Sequence, residues 1–301
     1  MSTAREMSDP TDIPDRDSPQ PGPTALRILV GTQLRRLRES RKISREKAGY
    51  TIRGSHSKIS RMEGGRSSFK LRDVADLLTL YGVADDTERQ ALLVLAEQAN
   101  AAGWWQDYRD TIPDWFEAYL GLEQDAALIR THEIQFVPGL LQTEDYARAV
   151  FVQGHKDEPA ELIERRVEMR MRRRRILSEP ASHKLWVILD ESALHRRVGG
   201  ATIMRDQLRH LVEQAELPHI TLQVIPFSIE GAAGGVGPVT ILRFAQAELD
   251  DVVYLEHLAG AQYLTKDSEV RPYQHLMNEL SVQAPPPSET PEILRQIIAT
   301  M

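Results

Sequence analysis

Through the first third of the chain, apolar residues recur at the three- and four-residue spacing of amphipathic helices. Val30, Leu34 and Leu37 form an i, i+4, i+7 stripe that the polar run Ser40-Arg41-Lys42 brings to an end. Ser44 then precedes a short helix around Ala48. Leu71, Val74, Leu77, Leu78 and Tyr81 mark another helix, and Leu92, Leu93 and Leu95 a further one over residues 85–98. Between them lies RGSHSKISRMEGGR (53–66), polar and basic except for two apolar anchors. At about 100° per residue, Ile59 and Met62 face inward, Ser57 and Arg61 point away, and His56, Lys58 and Ser60 take the flanks. Gly54 supplies a tight turn, Ser55 an N-cap, and Gly64 with Gly65 a left-handed exit. A short helix with a donor-rich outer face is the form of a recognition helix in a helix-turn-helix.

From about residue 115 the pattern is mixed. Strands are expected at 128–136, 185–189, 220–227, 239–244 and 252–256, and helices at 143–150, 159–177, 202–215 and 270–280. The last three strands follow one another through short loops with no room for crossover helices. That predicts an α+β domain with a small, mostly antiparallel sheet behind a mainly α N-terminal domain. The proline-rich APPPSETP (284–291) then separates a short terminal helix at 293–299. Between the two halves, Trp104, Trp105, Tyr108, Trp115, Phe116 and Tyr119 crowd into residues 99–120. They read as a packed inter-domain seam or, alternatively, as an aromatic groove for a ligand or partner. The organisation expected is a disordered tail (1–24), a DNA-binding domain (25–98), an aromatic junction (99–114), an α+β domain (115–283) and a terminal segment (284–301).

Charge sharpens this division. The chain of 301 residues has a formal net charge of −7, yet residues 26–72 hold fourteen Lys/Arg against Glu39, Glu46 and Glu63. That segment is +11 and the remainder −18, a basic module on an acidic body. Phosphates repel such a body, which confines nucleic-acid contact to the module. The absence of cysteine excludes disulfides, thiolate metal sites and cysteine nucleophiles, and points to a reducing cytoplasm. The acidic, Pro-rich start is not a signal peptide, and no apolar run approaches the ~18 residues of a membrane span.

Within the basic module, His56, Ser57, Lys58 and Arg61 are candidates for base edges, where Arg on guanine is the strongest readout. Arg45, Lys47, Arg53 and Arg66 flank the helix and are candidates for phosphates, which set register without reading sequence. In the body, seven arginines fall between 165 and 175 among Glu161, Glu164 and Glu168. Pairs such as Glu161–Arg165 and Glu168–Arg172 read as a salt-bridged helix, with docking of an acidic partner or DNA as the alternative. No catalytic or metal constellation is expected. His132-Glu133 lacks the second His of a zinc-peptidase helix, because Phe136 stands there. Asp190, Glu191 and His195, and likewise Glu256-His257, follow strands and read as exposed strand ends, with a hydrolytic or metal site as the lesser alternative. The GAAGGVG run (231–237) lacks the Lys-Ser/Thr of a phosphate loop and reads as a hairpin or lid loop.

Ser55, Ser57, Ile59, Ser60, Arg61, Glu63 and Gly65 resemble the pattern of Xre-type helix-turn-helix regulators, whose domain is lambda-repressor-like. FVPGLLQTEDYARAV (136–150), LDESALHRRVGG (189–200), MRDQLRHLVE (204–213), LQVIPF (222–227) and VVYLEHLAGAQYL (252–264) resemble the C-terminal domain of actinobacterial, Scr-type antitoxin-like regulators. The resemblance implies a dimeric regulator of an operator in double-stranded DNA, commonly encoded beside a small partner protein that docks on it, with no enzymatic role and no cofactor. The chain departs from the family in its APPPSETP end and in the basic turn TIRGSHS (51–57). The signal is expected to be that partner or, alternatively, a small molecule held between the strands and the PGLLQT segment. Trp104, Trp105, Pro138, Gly139, Leu140, Leu141 and Gln142 are the candidate contacts.

Overall fold

In the computed structural model, residues 21–178, 183–229 and 237–301 are described. The expectations for residues 1–20 and for 231–236 of the glycine-rich run lie outside them. The tail expected to reach residue 24 is already helical at Pro23. The first domain consists of α1 (Pro23–Ser40), α2 (Arg45–Thr51), α3 (His56–Glu63), α4 (Leu71–Leu80) and α5 (Asp86–Gln98). Side-chain oxygens of Ser44, Ser55 and Asp85 accept the N–H groups of Lys47, Lys58 and Glu88 and so cap α2, α3 and α5. Leu26, Val30, Leu34, Ala48, Ile59, Met62, Val74, Leu77 and Tyr81 close one core among these helices.

After a 3-10 turn at Trp104–Tyr108, the second domain runs through α6 (Asp114–Asp125), β1 (Leu128–Glu133), α7 (Glu144–Gly154) and α8 (Ala160–Arg173). It continues with β2 (Lys184–Asp190), α9 (Ser192–His195), α10 (Ala201–Gln214), β3 (Ile220–Ile225) and β4 (Val239–Arg243). β5 (Val252–His257), β6 (Gly260–Leu264), α11 (Asp267–Gln283) and α12 (Thr290–Ala299) complete it. Among the described residues, no helix is long and apolar enough to cross a membrane.

The sheet is larger than expected and mixed, with three antiparallel and two parallel pairings. Six strands lie in the order β3-β2-β1-β4-β5-β6. β1, β2 and β3 pair in parallel, while β1–β4, β4–β5 and β5–β6 are antiparallel. Short loops do govern the last three strands, but α7 and α8 bridge β1 to β2, and α10 bridges β2 to β3, as parallel pairing requires. β2 is accordingly apolar on both sides. Leu185, Val187 and Leu189 enter the core shared with α6, α10 and α12, and Ile188 enters the one beneath α11. The terminal helix is no appendage. Leu294 and Ile297 belong to the main core, and Thr290 donates its hydroxyl to the carbonyl of Leu222 at 2.6 Å.

One helix serves both domains. Ala25 of α1 belongs to the second domain's core, whereas Leu26, Val30 and Leu34 belong to the first. Asp125, closing α6, accepts the backbone N–H of Gly22 and of Ala25, so its carboxylate sits on the free amides of α1's first turn. Against this junction pack Trp105, Tyr108, Ile112, Leu120 and Met169, making the aromatic stretch a buried seam.

Candidate nucleic-acid interface

α3 holds its place through two apolar anchors and one acid. Ile59 and Met62 are 1% exposed, and buried Glu63 receives a bidentate Arg38 at 2.5 and 3.0 Å and Arg45 at 3.0 Å. Arg38, whose guanidinium the hydrogen bond to Glu63 raises above its ordinary range, also donates to the carbonyl of Ile43. α1, α2 and α3 are thereby tied at a single carboxylate, a charge-assisted contact of the stronger kind. The loop before α3 turns at Arg53, whose φ of 52° is left-handed; Gly54 has no such torsion. After α3 the left-handed residue is Gly65, at φ 64°, and a Cβ there would lie 2.8 Å from Ile28 of α1.

Of the four base-edge candidates, His56, Ser57 and Arg61 are exposed on the outer face of α3. Lys58 is not free to read a base: its ammonium reaches Asp73 of α4 at 2.5 Å. Among the phosphate candidates, Lys47, Arg53 and Arg66 are exposed around the same face, while Arg45 is shared with Glu63. Tyr50 was not singled out by sequence, yet it stands 81% exposed on α2 beside this face. The helical wheel contained the signal, because Ala48 and Ile52 point inward and Tyr50 falls between them on the opposite side.

The expected partner or ligand residues fare differently. Trp105, Pro138, Leu140, Leu141 and Gln142 are buried, and Trp104 and Gly139 are partly buried. PGLLQT is a structural knot. The Gln142 side chain donates to the carbonyl of Val137 and accepts from Arg170, while Gln207 accepts from the backbone N–H of Thr143 and donates to the carbonyl of Leu141. No docking surface is offered by those five residues.

The arginines of α8 are paired between elements and not along their own helix. Arg165 reaches Asp110, Arg166 Glu158, Arg172 Asp107, and Arg173 the buried pair of Glu123 and Tyr119. The expected Glu161–Arg165 and Glu168–Arg172 pairs give way to these contacts, and Glu168 instead accepts from Tyr108. Asp190, Glu191 and His195 perform local work as well: Asp190 caps the Ser192 N–H, and Glu191 holds both His195 and the Phe227 N–H. His132 is fully buried in β1 against the carbonyl of Ile188. Among the described residues, no three His, Asp or Glu side chains converge as a metal ion would require.

Comparison with protein families gives two matches. Residues 29–92 match a helix-turn-helix domain, and residues 116–296 match a domain of unknown function, DUF5753. Neither the curated proteins nor the solved structures give a match. The first assignment coincides with the helices that present the basic face and supports DNA binding by that module.

Proposed function

The chain belongs to the family defined by this domain of unknown function, DUF5753, and on that premise we propose a sequence-specific, DNA-binding transcriptional regulator of the Xre type. The observation that carries the reading is the exposed His56–Ser57–Arg61 face on a capped helix pinned through Glu63, inside a segment of net charge +11. In this reading α3 lies in the major groove, Arg61 reads a base edge, and Lys47, Arg53 and Arg66 hold phosphates. One module offers few base contacts, so the regulator acts as a dimer on two half-sites of an operator in the cytoplasm. The second domain receives the signal, with no catalytic step and no cofactor.

A small partner protein encoded nearby is the signal that the family resemblance and the acidic body favour. Its docking surface then lies elsewhere than on the buried PGLLQT knot. A small-molecule effector is the second reading, favoured by a cavity in the second domain lined by Arg196 and Arg197. The test is binding of the purified chain to the DNA upstream of its own gene, titrated with salt, with and without the neighbouring small protein. Saturable binding at two half-sites that the partner alters supports partner control. Binding indifferent to the partner removes it, and absence of specific binding overturns the DNA-reading role.

A further inference from the structure

We propose that the second domain carries a binding site for a small organic anion, a carboxylate or phosphate group on an apolar body, held by Arg196 and Arg197. A cavity of about 340 Å³ is lined by Gln135, Phe136, Gln153, Arg196, Arg197 and Val198, within the size range of small-molecule sites. Its lining has two formal positive charges and no acid. Among the described residues, neither arginine makes a side-chain hydrogen bond or ion pair, although most arginines of the neighbouring α8 are paired. On a half of the chain that is itself net acidic, with twenty Lys/Arg against thirty Asp/Glu in residues 99–301, two guanidiniums without a partner among the described residues, beside two amides and a phenyl ring, suit an anionic head and an apolar tail.

Topology places the cavity where open α/β sheets bind ligands. Gln135 and Phe136 follow β1 after Ile134, and Arg196 to Val198 follow the adjacent parallel strand β2 by way of α9. The chain proceeds outward from β1 to β2 and β3, then returns to lay β4 on the other side of β1. The pocket thus lies beyond the carboxyl ends of two adjacent parallel strands, the end at which open α/β sheets hold their ligands. The backbone around the arginines is also specialised, since Gly199 and Gly200, which follow Val198, adopt φ of 72° and 97°. This accounts for the HRRVGG segment, which the DNA-reading role leaves unused. The site stands without that role; only its use as a regulatory input rests on it.

The experiment is a calorimetric titration of the full chain, without DNA, using benzoate, phenyl phosphate and uncharged benzamide as probes. Saturable binding of at least one anion, with benzamide silent, is expected. Arg196→Gln/Arg197→Gln should weaken it at least tenfold and leave the melting temperature unchanged, because both side chains are exposed. Whichever anion binds more tightly identifies the head group. Absence of saturable binding, equal binding of benzamide, or an undiminished double variant overturns the proposal. Because the titration uses no DNA, its failure is distinguishable from a failure to bind the operator.

Discussion

Asp125 accepts the backbone N–H of Ala25 at 2.8 Å, one hundred residues away in sequence, and its second oxygen takes the N–H of Gly22 at 2.9 Å. A carboxylate at the free amides of a helix terminus stabilises it through both hydrogen bonding and charge. Here it does so across a domain boundary, because α1 continues into the DNA-reading module. Asp125→Ala should cost about 1–3 kcal/mol and accelerate amide exchange at residues 22–26. Unchanged exchange there would show that the apolar contacts of Ala25 alone hold the helix.

Two glycines set how closely the shared helix approaches its neighbours. A Cβ at Gly121 of α6 would lie 1.9 Å from the Thr24 hydroxyl and 3.0 Å from Trp105, and one at Gly31 of α1 would lie 2.4 Å from the carbonyl of Met62. Overpacking of this kind costs about 1–3 kcal/mol. Both alanine variants should lower thermal stability. Gly31→Ala should also reduce operator affinity, because its obstacle is the backbone of α3 itself.

Arg61 and Lys58 sit three residues apart on α3 but do different things. Arg61→Ala should lose about 1–3 kcal/mol of discrimination between operator and random DNA, measured by competition binding. Arg66→Ala should weaken all sequences alike and lower the salt slope by about one. Lys58→Ala should act mainly on stability, since it leaves Asp73 buried without its cation. An equal loss of discrimination from Lys58→Ala and Arg61→Ala would place Lys58 on a base after all.

What the sequence made legible was local. Caps at Ser44 and Ser55, the apolar stripes, and the outward face of α3 follow from spacing and side-chain chemistry within one turn. What stayed hidden depends on partners far along the chain. Lys58 looks free until Asp73 is folded beside it, and Gly121 looks incidental until α1 crosses it. β6 was missed because GAQYL has neither alternation nor β-branched residues; it forms by pairing with β5. Parallel pairing was missed for a different reason. The loops after β3 suggested hairpins, and the helices before β3 were not recognised as crossovers.

Stability should fall as pH rises from 6.5 to 8, and Glu133 is the reason. Burial, aided by the charge of Glu256, pushes its carboxyl up to about 8 from an ordinary 4.5. The folded state thus keeps a proton that the unfolded chain has released, and the stability this confers is lost as pH rises through about 8. Asp125, pushed up to about 6 by burial, adds the same sign of slope, but only at lower pH. Burial holds His132 and His210 below their usual range, which gives the opposite slope as the unfolded imidazoles titrate near 6.5. Above that pH Glu133 is left as the main contributor, at up to about 1.4 kcal/mol per pH unit. Urea denaturation between pH 6.5 and 8 should show this decline in the wild type and none in Glu133→Gln, whose profile rises slightly near pH 6.5 through the two histidines and then levels; the variant retains the acceptor for Thr131 without the ionisation. A decline that persists in Glu133→Gln would assign the proton to another group.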